Sequence, residues 1–245
     1  MSVLRFLVDY ERKGSPARKM RARRFRLFTS LLSAVPRPVR ILDVGGTEVF
    51  WRTMGLAEAL DVEVTTINLD LPGSPVGSRI ISLQGDARDL SRFGDKSFEV
   101  VFSNSLIEHV GGLDDQRRVA NEIRRVGRAY FVQTPNRDFP LEPHFLFPFF
   151  QHLPVDVRVA LLTRFDLGWI SRTGDAIEAR RIVESIQLLD RDRFRRLFPG
   201  ATFWEERMLG LVKSFVAYAG FPERGSTQGW TNGVPASNRA FAGRV

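Results

Sequence analysis

Short apolar runs that end in glycine or a polar residue recur between residues 39 and 134, and they constrain the fold more than any other feature. The first run, VRILDV at 39–44, leads directly into Gly45 and Gly46. Further strand-like runs follow at 62–69, 79–83, 98–103 and 128–134. Segments that suit helices occupy 48–60 and 114–126. Strands that alternate with helices predict an α/β fold with a doubly wound, mostly parallel sheet.

The alternation breaks in the second half of the chain. Residues 135–187 contain prolines, aromatic residues and helical segments but no clear strand. A helix is predicted at 191–198 after an Asp190 cap, and two final strands at 201–208 and 212–219. The expected units are a basic helical arm at 1–38, a domain at 39–220 with a helical lid inserted at about 140–187, and a C-terminal tail at 221–245.

Positive charge is concentrated at the N-terminus. Residues 1–40 hold eleven Lys and Arg against two acidic residues, whereas the rest of the chain is close to neutral. The segment ARKMRARRFRLFTSLL at 17–32 predicts a basic helix. One interpretation is attraction to an anionic membrane surface or to nucleic acid. The other is a helix that covers the edge of the domain, with five apolar side chains facing inward: Phe25, Leu27, Phe28, Leu31 and Leu32.

Composition excludes several classes of site. The chain has no cysteine, which excludes disulfides, thiolate metal sites and a Cys nucleophile. It has no apolar run long enough to span a membrane and no signal-peptide pattern, so a cytoplasmic protein is expected.

Polar side chains follow each of the five predicted parallel strands. They are Asp43, Asn68 with Asp70, Asp86, Asn104 and Thr134. Ligands of doubly wound sheets bind at the carboxyl ends of the strands, so these residues should surround one site. Gly45 and Gly46 would let a ligand approach the backbone. The third glycine of a dinucleotide fingerprint is absent, and an acid at Asp43 suits a cationic ligand better than a pyrophosphate.

These motifs resemble class I S-adenosylmethionine (SAM)-dependent methyltransferases. Asp43-Val44-Gly45 is similar to the loop that holds the methionine moiety, QGDARDL to the adenine segment, and FEVVFSNSLIEHV to the segment before the acceptor. The resemblance implies a Rossmann-like, seven-stranded sheet with helices on both faces and an antiparallel last strand. It also implies a SAM site formed by Asp43, Gly45, Gly46, Thr47, Asn68, Asp70, Asp86, Ala87 and Asn104.

The acceptor is predicted from what the sequence contains and lacks. SNSLIEH stands where enzymes that methylate exocyclic amines usually have an Asn/Asp-Pro-Pro-aromatic turn, and C5-pyrimidine methylation usually needs a Cys. Both observations disfavour nucleic acid and favour O-methylation. The segment TPNRDFPLEPHFLFPFFQHLP at 134–154 resembles bacterial methyltransferases that act on sugars and polysaccharides, so a small-molecule or oligosaccharide acceptor is expected.

A hydroxyl acceptor needs a base, and histidine is the usual one at neutral pH. His144 is the first candidate, with Glu142 to orient it, and His109 is the second. In an alternative, Glu108, His109 and His144, together with Glu142, surround a divalent cation, Mg²⁺ or Mn²⁺. His152 is expected to be structural. In the lid, four phenylalanines could wall the acceptor site and two further residues could line a sugar site: Phe145, Phe147, Phe149 and Phe150, then Trp169 and Arg172.

The sequence is also compatible with other functions. The acceptor could be a lipid-linked or aromatic small molecule, with the basic arm on a membrane surface. The chain could instead be an RNA-binding methyltransferase that uses the arm, or an NAD-dependent reductase. The sequence is also compatible with a homodimer.

Overall fold

A single seven-stranded sheet organises the described part of the chain. The computed structural model describes residues 14–56, 61–70, 80–223 and 230. The strands are β1 (Val39–Val44), β2 (Val62–Asn68), β3 (Ile81–Gln84), β4 (Phe98–Asn104), β5 (Gly127–Pro135), β6 (Thr202–Met208) and β7 (Leu211–Ala219). Their order is β3-β2-β1-β4-β5-β7-β6, and β7 is antiparallel to both of its neighbours. The predicted Rossmann-like sheet with an antiparallel last strand is confirmed.

Helices cover both faces of the sheet. They are α1 (Pro16–Leu32), α2 (Glu48–Thr53), α3 (Leu113–Val126), α4 (Val155–Leu162), α5 (Ala176–Glu184) and α6 (Arg191–Leu197), with short 3-10 turns at Ile107–His109 and Phe150–His152. Alternate residues of each strand enter opposite cores, as Ile41 and Leu42 do in β1. One core includes side chains of α1 and α2, and the other includes side chains of α3 and α6.

The basic helix α1 packs against the sheet. Phe28 is fully buried, and its ring centroid lies 4.8 Å from that of Phe102, 5.3 Å from that of Phe131 and 6.1 Å from that of Trp51. Phe25 and Leu32 are also buried, while Leu27 and Leu31 pack against the same core. The covering-helix interpretation is therefore confirmed for these five side chains. A role of the arm at a membrane or nucleic acid stays a prediction, as do the proposed domain limits.

The inserted segment has a core of its own. Phe145 and Phe150 pack with their ring centroids 4.1 Å apart, and they join apolar side chains of α4 and α5, including Leu162 and Val183. These two rings stabilise the insertion from within. Phe149, by contrast, is exposed.

Two predicted elements differ in length from the observed ones. The helix expected at 48–60 ends at Thr53, because Gly55 adopts φ +76° and the Gly55 and Leu56 N–H groups bond back to the carbonyls of Arg52 and Trp51. This is a Schellman ending. Residues 57–60 lie outside the described residues, as does most of the predicted tail. The third strand begins at Ile81 instead of residue 79.

No helix in the described ranges combines the length and apolar character that crossing a bilayer requires.

Replacement of Phe28 by Ala tests whether α1 is part of the folded domain. We expect the free energy of unfolding to fall by about 3–5 kcal/mol, because the ring is fully buried and its loss leaves a cavity. Urea denaturation measures this change. Phe165→Ala is the control, since Phe165 is 56% exposed and should change stability by less than about 1 kcal/mol. Equal effects of the two substitutions would contradict the packing of α1.

Candidate active site

A cavity of about 620 Å³ lies at the carboxyl ends of the parallel strands. We call it the glycine-loop cavity. Six of the nine residues predicted to bind the cofactor line it: Gly45, Thr47, Asn68, Asp70, Asp86 and Ala87. Of the polar strand-end residues predicted to surround one site, Asn68, Asp70 and Asp86 are among these six. The other three, Asp43, Gly46 and Asn104, are placed differently.

Gly45 and Gly46 are glycines because neighbouring side chains occupy the space that a side chain of their own would need. Gly45 has φ +83°, and a Cβ there would lie 2.6 Å from Cδ1 of Leu106. A Cβ on Gly46 would lie 1.6 Å from Oδ2 of Asp43. Internal packing thus accounts for both glycines, and Gly45 also presents its backbone to the cavity.

The Asp43 carboxylate lies behind the glycine loop and not among the groups that line the cavity. Its Oδ2 accepts a 2.6 Å hydrogen bond from Nε1 of Trp51, in α2. Its buried Oδ1 has no hydrogen-bond partner among the described residues. Burial raises the pKa of Asp43 to about 7, against a smaller lowering by the Trp51 hydrogen bond. Sequence reasoning placed this acid in contact with the ligand, whereas here it supports the loop.

Asn68 and Asp86 stabilise the walls of the cavity. The Asn68 amide donates a 2.9 Å hydrogen bond to the carbonyl of Gly46, which joins the end of β2 to the glycine loop. Asp86 accepts hydrogen bonds from the backbone and the guanidinium of Arg88, and these hold the pKa of Asp86 below its usual range. Asp70 is exposed at the rim.

A second cavity of about 350 Å³ lies beside the inserted segment, and we call it the lid cavity. Asn104, which the sequence predicted in the cofactor site, lines this cavity and not the glycine-loop cavity. The chain turns sharply after it, because Ser105 has φ 56° and donates its N–H to the carbonyl of Gln133. Trp169 also lines the lid cavity, as expected, whereas Arg172 is exposed elsewhere.

The two cavities meet at a pair of histidines. His109 lines the glycine-loop cavity and His144 lines the lid cavity. Their Nε2 atoms lie 3.1 Å apart, and their rings are nearly perpendicular at 89°. Partial desolvation, together with the charge of His144, lowers the pKa of His109 to about 4.

Glu142 holds His144 in a fixed orientation. The buried carboxylate accepts a 2.7 Å bond from Nδ1 of His144 through Oε1. Its Oε2 accepts hydrogen bonds from two backbone N–H groups, that of His144 at 2.7 Å and that of Phe145 at 2.6 Å. Burial lowers the pKa of His144, but the bond and charge of Glu142, with the charge of Glu108, outweigh it and raise this pKa overall. The imidazole is therefore oriented and made more basic.

Glu108 lies fully buried beneath the histidine pair. Its Oε2 accepts a 2.9 Å hydrogen bond from the Thr134 hydroxyl, while Oε1 has no partner among the described residues. Burial raises the pKa of Glu108 to about 7. One ligand atom each from Glu108, His109 and His144 lies within 4.8 Å of the others, so this predicted set could hold a divalent cation.

Four charged residues that line the lid cavity were not predicted from the sequence: Arg21, Arg24, Glu206 and Lys213. They come from α1, β6 and β7, which are far from the motif region in sequence. The one available signal was Lys213, a charge within the apolar strand LVKSFVAYA.

The comparisons with known proteins agree with this arrangement. The family described as "Methyltransferase domain" matches residues 42–129, which include the glycine loop and the strands around the first cavity. This segment of the chain is therefore similar to a methyltransferase domain. An uncharacterized protein found in two strains of Mycobacterium tuberculosis is 26% identical to it over 127 residues, covering 49% of this chain and 43% of the relative. The chain thus matches less than half the length of these curated relatives.

Two solved structures were compared with this chain for their fold. A structure of CurJ carbon methyltransferase, 10% identical, aligns over 91% of this chain and 62% of its own with a TM-score of 0.53. A SAM-dependent methyltransferase from Methanosarcina mazei, 13% identical, aligns over 77% and 94% of the two chains with a TM-score of 0.46. The first likeness supports the fold.

Substitution of Gly46 by Ala tests the packing of the glycine loop. The new Cβ would collide with the Asp43 carboxylate, so we expect the affinity for S-adenosylhomocysteine to fall at least about tenfold. Isothermal titration calorimetry measures this affinity. Gly94→Ala is the control, since a Cβ there meets no atom within 4 Å. Unchanged affinity in the Gly46 variant would contradict the tight loop.

The raised pKa of Asp43 predicts how stability depends on pH. The folded carboxyl keeps its proton up to about pH 7, whereas the unfolded one loses it near the ordinary aspartate pKa of 3.8. The folded state therefore binds more protons between these values, and the Asp43 contribution to the free energy of unfolding decreases as pH rises through that window. We expect Asp43→Asn to flatten this decrease.

Urea denaturation between pH 5 and pH 8 checks this expectation. Asp114→Asn, at an exposed carboxyl, is the control and should keep the slope of the wild-type protein. A parallel slope in the Asp43 variant would show that this group does not titrate as described.

Proposed function

We propose that the protein transfers a methyl group from SAM to a hydroxyl of a polar acceptor, with His144 as the base and a saccharide as the acceptor class. The observation that carries this proposal is the meeting of two cavities at an oriented histidine. Methyl transfer requires the donor and the acceptor oxygen to be held in line, and two adjoining cavities are suited to that.

The glycine-loop cavity is the proposed SAM site, and its residues fit that group. Gly45 and Thr47 offer backbone at the start of α2, and Asn68 and Asp70 offer polar groups suited to ribose hydroxyls. The buried Oδ1 of Asp43 behind the loop has no partner, and a positively charged ligand nearby would favour its ionised form. When bound, SAM supplies a methyl group on a sulfonium, which already provides the leaving group.

His144 has the geometry of a general base. Since Glu142 binds Nδ1, the other ring nitrogen, Nε2, faces the junction of the two cavities. A hydroxyl bound in the lid cavity could give its proton to Nε2 of His144. The hydroxyl would replace His109 as the hydrogen-bond partner of that atom. A base on the acceptor side favours hydroxyl acceptors, because an alcohol must lose its proton whereas an amine already has a lone pair. Glu142 acts through His144 and is a positioning residue.

The lining of the lid cavity supports a polyhydroxylated acceptor. The Trp169 indole lines this cavity and adds apolar surface to it. The Asn104 amide makes no hydrogen bond to other described residues and can therefore serve a ligand. These features supply both the apolar surface and the polar groups that a sugar presents.

A divalent cation is the second candidate for activating the hydroxyl. The close donor atoms of Glu108, His109 and His144, and the unpartnered Oε1 of Glu108, favour it. These residues would hold Mg²⁺ or Mn²⁺, which would lower the pKa of a bound hydroxyl.

Replacement of His144 by Ala tests the proposed base. We expect turnover to fall by roughly 10²–10⁴-fold with little change in S-adenosylhomocysteine affinity, because the base acts on the acceptor and not on the cofactor. Transfer from methyl-labelled SAM to a panel of hexoses, hexuronates and oligosaccharides measures turnover, and calorimetry measures affinity. His152→Ala is the control, since His152 is exposed and lines neither cavity.

The same assay with EDTA separates the two activating groups. If His144 is the base, EDTA should leave turnover unchanged. Loss of turnover that Mg²⁺ restores would assign activation to a cation, and full activity of the His144 variant would move the base elsewhere.

A further inference from the structure

We propose that the acceptor carries an anionic group, a carboxylate or a phosphate, that binds to the basic wall of the lid cavity. This inference rests on the proposed function, because it names the chemical class of the acceptor at that site. The basic wall consists of Arg21, Arg24 and Lys213, all of which line the cavity that His144 also lines.

The basic wall is assembled from distant parts of the chain. Arg21 and Arg24 are three residues apart on α1, so they share a face of that helix, and Lys213 comes from β7. Glu206 of β6 is the one carboxylate that lines the cavity among the described residues. Three cationic side chains and one carboxylate among the described residues therefore line this cavity.

Glu206 is committed to partners other than Lys213. Its Oε2 accepts a 2.9 Å hydrogen bond from the Ser214 hydroxyl and lies 3.5 Å from Nη1 of Arg24. Its Oε1 is buried without a hydrogen-bond partner among the described residues. The carboxylate therefore offsets part of the charge of Arg24 and leaves the ammonium of Lys213 unpaired.

The ammonium of Lys213 gives the strongest support for an anionic ligand. Within the described ranges its ammonium has no hydrogen-bond or ion-pair partner, although its side chain is partly buried beside the cavity. Burial lowers the pKa of Lys213, and the charge of Arg24 lowers it further against the opposing effect of Glu206. A desolvated cation without a partner costs free energy, which an anionic ligand would recover.

The shape of these donors suits a small anion. An Arg guanidinium donates two parallel hydrogen bonds to a carboxylate or a phosphate, and a Lys ammonium adds a compact positive charge. A cavity of about 350 Å³ has room for one sugar ring with such a substituent. A hexuronate and a hexose phosphate both combine this anion with hydroxyls that His144 could deprotonate.

Direct binding measurements test this inference without an assumption about turnover. Protein saturated with S-adenosylhomocysteine is titrated calorimetrically with glucuronate, glucose 6-phosphate and glucose. We expect at least one of the anionic probes to bind about tenfold more tightly than glucose. Preference for glucuronate would identify a carboxylate, preference for glucose 6-phosphate a phosphate, and either supports the inference.

Variants then locate the preference. Lys213→Met and Arg21→Gln, alone and combined, should reduce the ratio of anionic to neutral affinity to within about threefold of unity. Arg23→Gln is the matched control, because Arg23 lies on the same helix over the Trp204 ring and does not line the cavity. It removes the same charge and should keep the preference. Retained binding of S-adenosylhomocysteine shows that each variant is folded. If the Lys213→Met variant does not fold, the Arg21→Gln variant alone tests the preference.

Three results would overturn the inference: equal binding of glucose and both anions, binding of none of the three probes, or a preference that survives in the double variant. The outcome for the proposed function is separate. Anion binding at the basic wall without any methyl transfer would refute the proposed function and leave the anion site. His144-dependent transfer to neutral acceptors alone would do the reverse.

Discussion

The hydrogen bond between the buried Asp43 carboxylate and the Trp51 indole joins the parts of the structure on which the site depends. Asp43 is the penultimate residue of β1, its carboxylate lies directly behind Gly46, and Trp51 belongs to α2. Trp51 in turn packs against Phe28 of α1. The glycine loop, the sheet and the N-terminal helix are therefore one packed unit, and α1 contributes Arg21 and Arg24 to the lid cavity from that position.

A second buried carboxylate does comparable work on the other side of the site. Glu142 accepts two backbone N–H groups and the His144 ring, so the loop and the imidazole are fixed together. An imidazole held in this way would need little reorganisation to accept a proton, which is what makes a positioned group effective. Glu142 and His144 belong to the inserted segment, which has its own apolar core around Phe145 and Phe150. This core stabilises the segment that carries the pair.

The sequence predicted the strands and most of the cavity floor because period and strand-end chemistry are local signals. Asp86, Asn68 and Gly45 lie where a parallel sheet must place them. Side-chain direction is not local: Asp43 turns behind the loop towards Trp51, and the backbone turn at Ser105 directs Asn104 to the lid cavity. Lys213 and Arg24 meet through tertiary packing of β7 and α1, which no motif encodes.

Side chains one helical turn apart on α1 have different physical roles. Phe25 and Phe28 hold the helix on the sheet, whereas Arg21 and Arg24 face the lid cavity. An exchange at Arg21 would alter the cavity wall while the aromatic anchors stay in place. In an evolving lineage, changes that alter the cavity wall and changes that alter thermal stability therefore fall within one turn of the same helix.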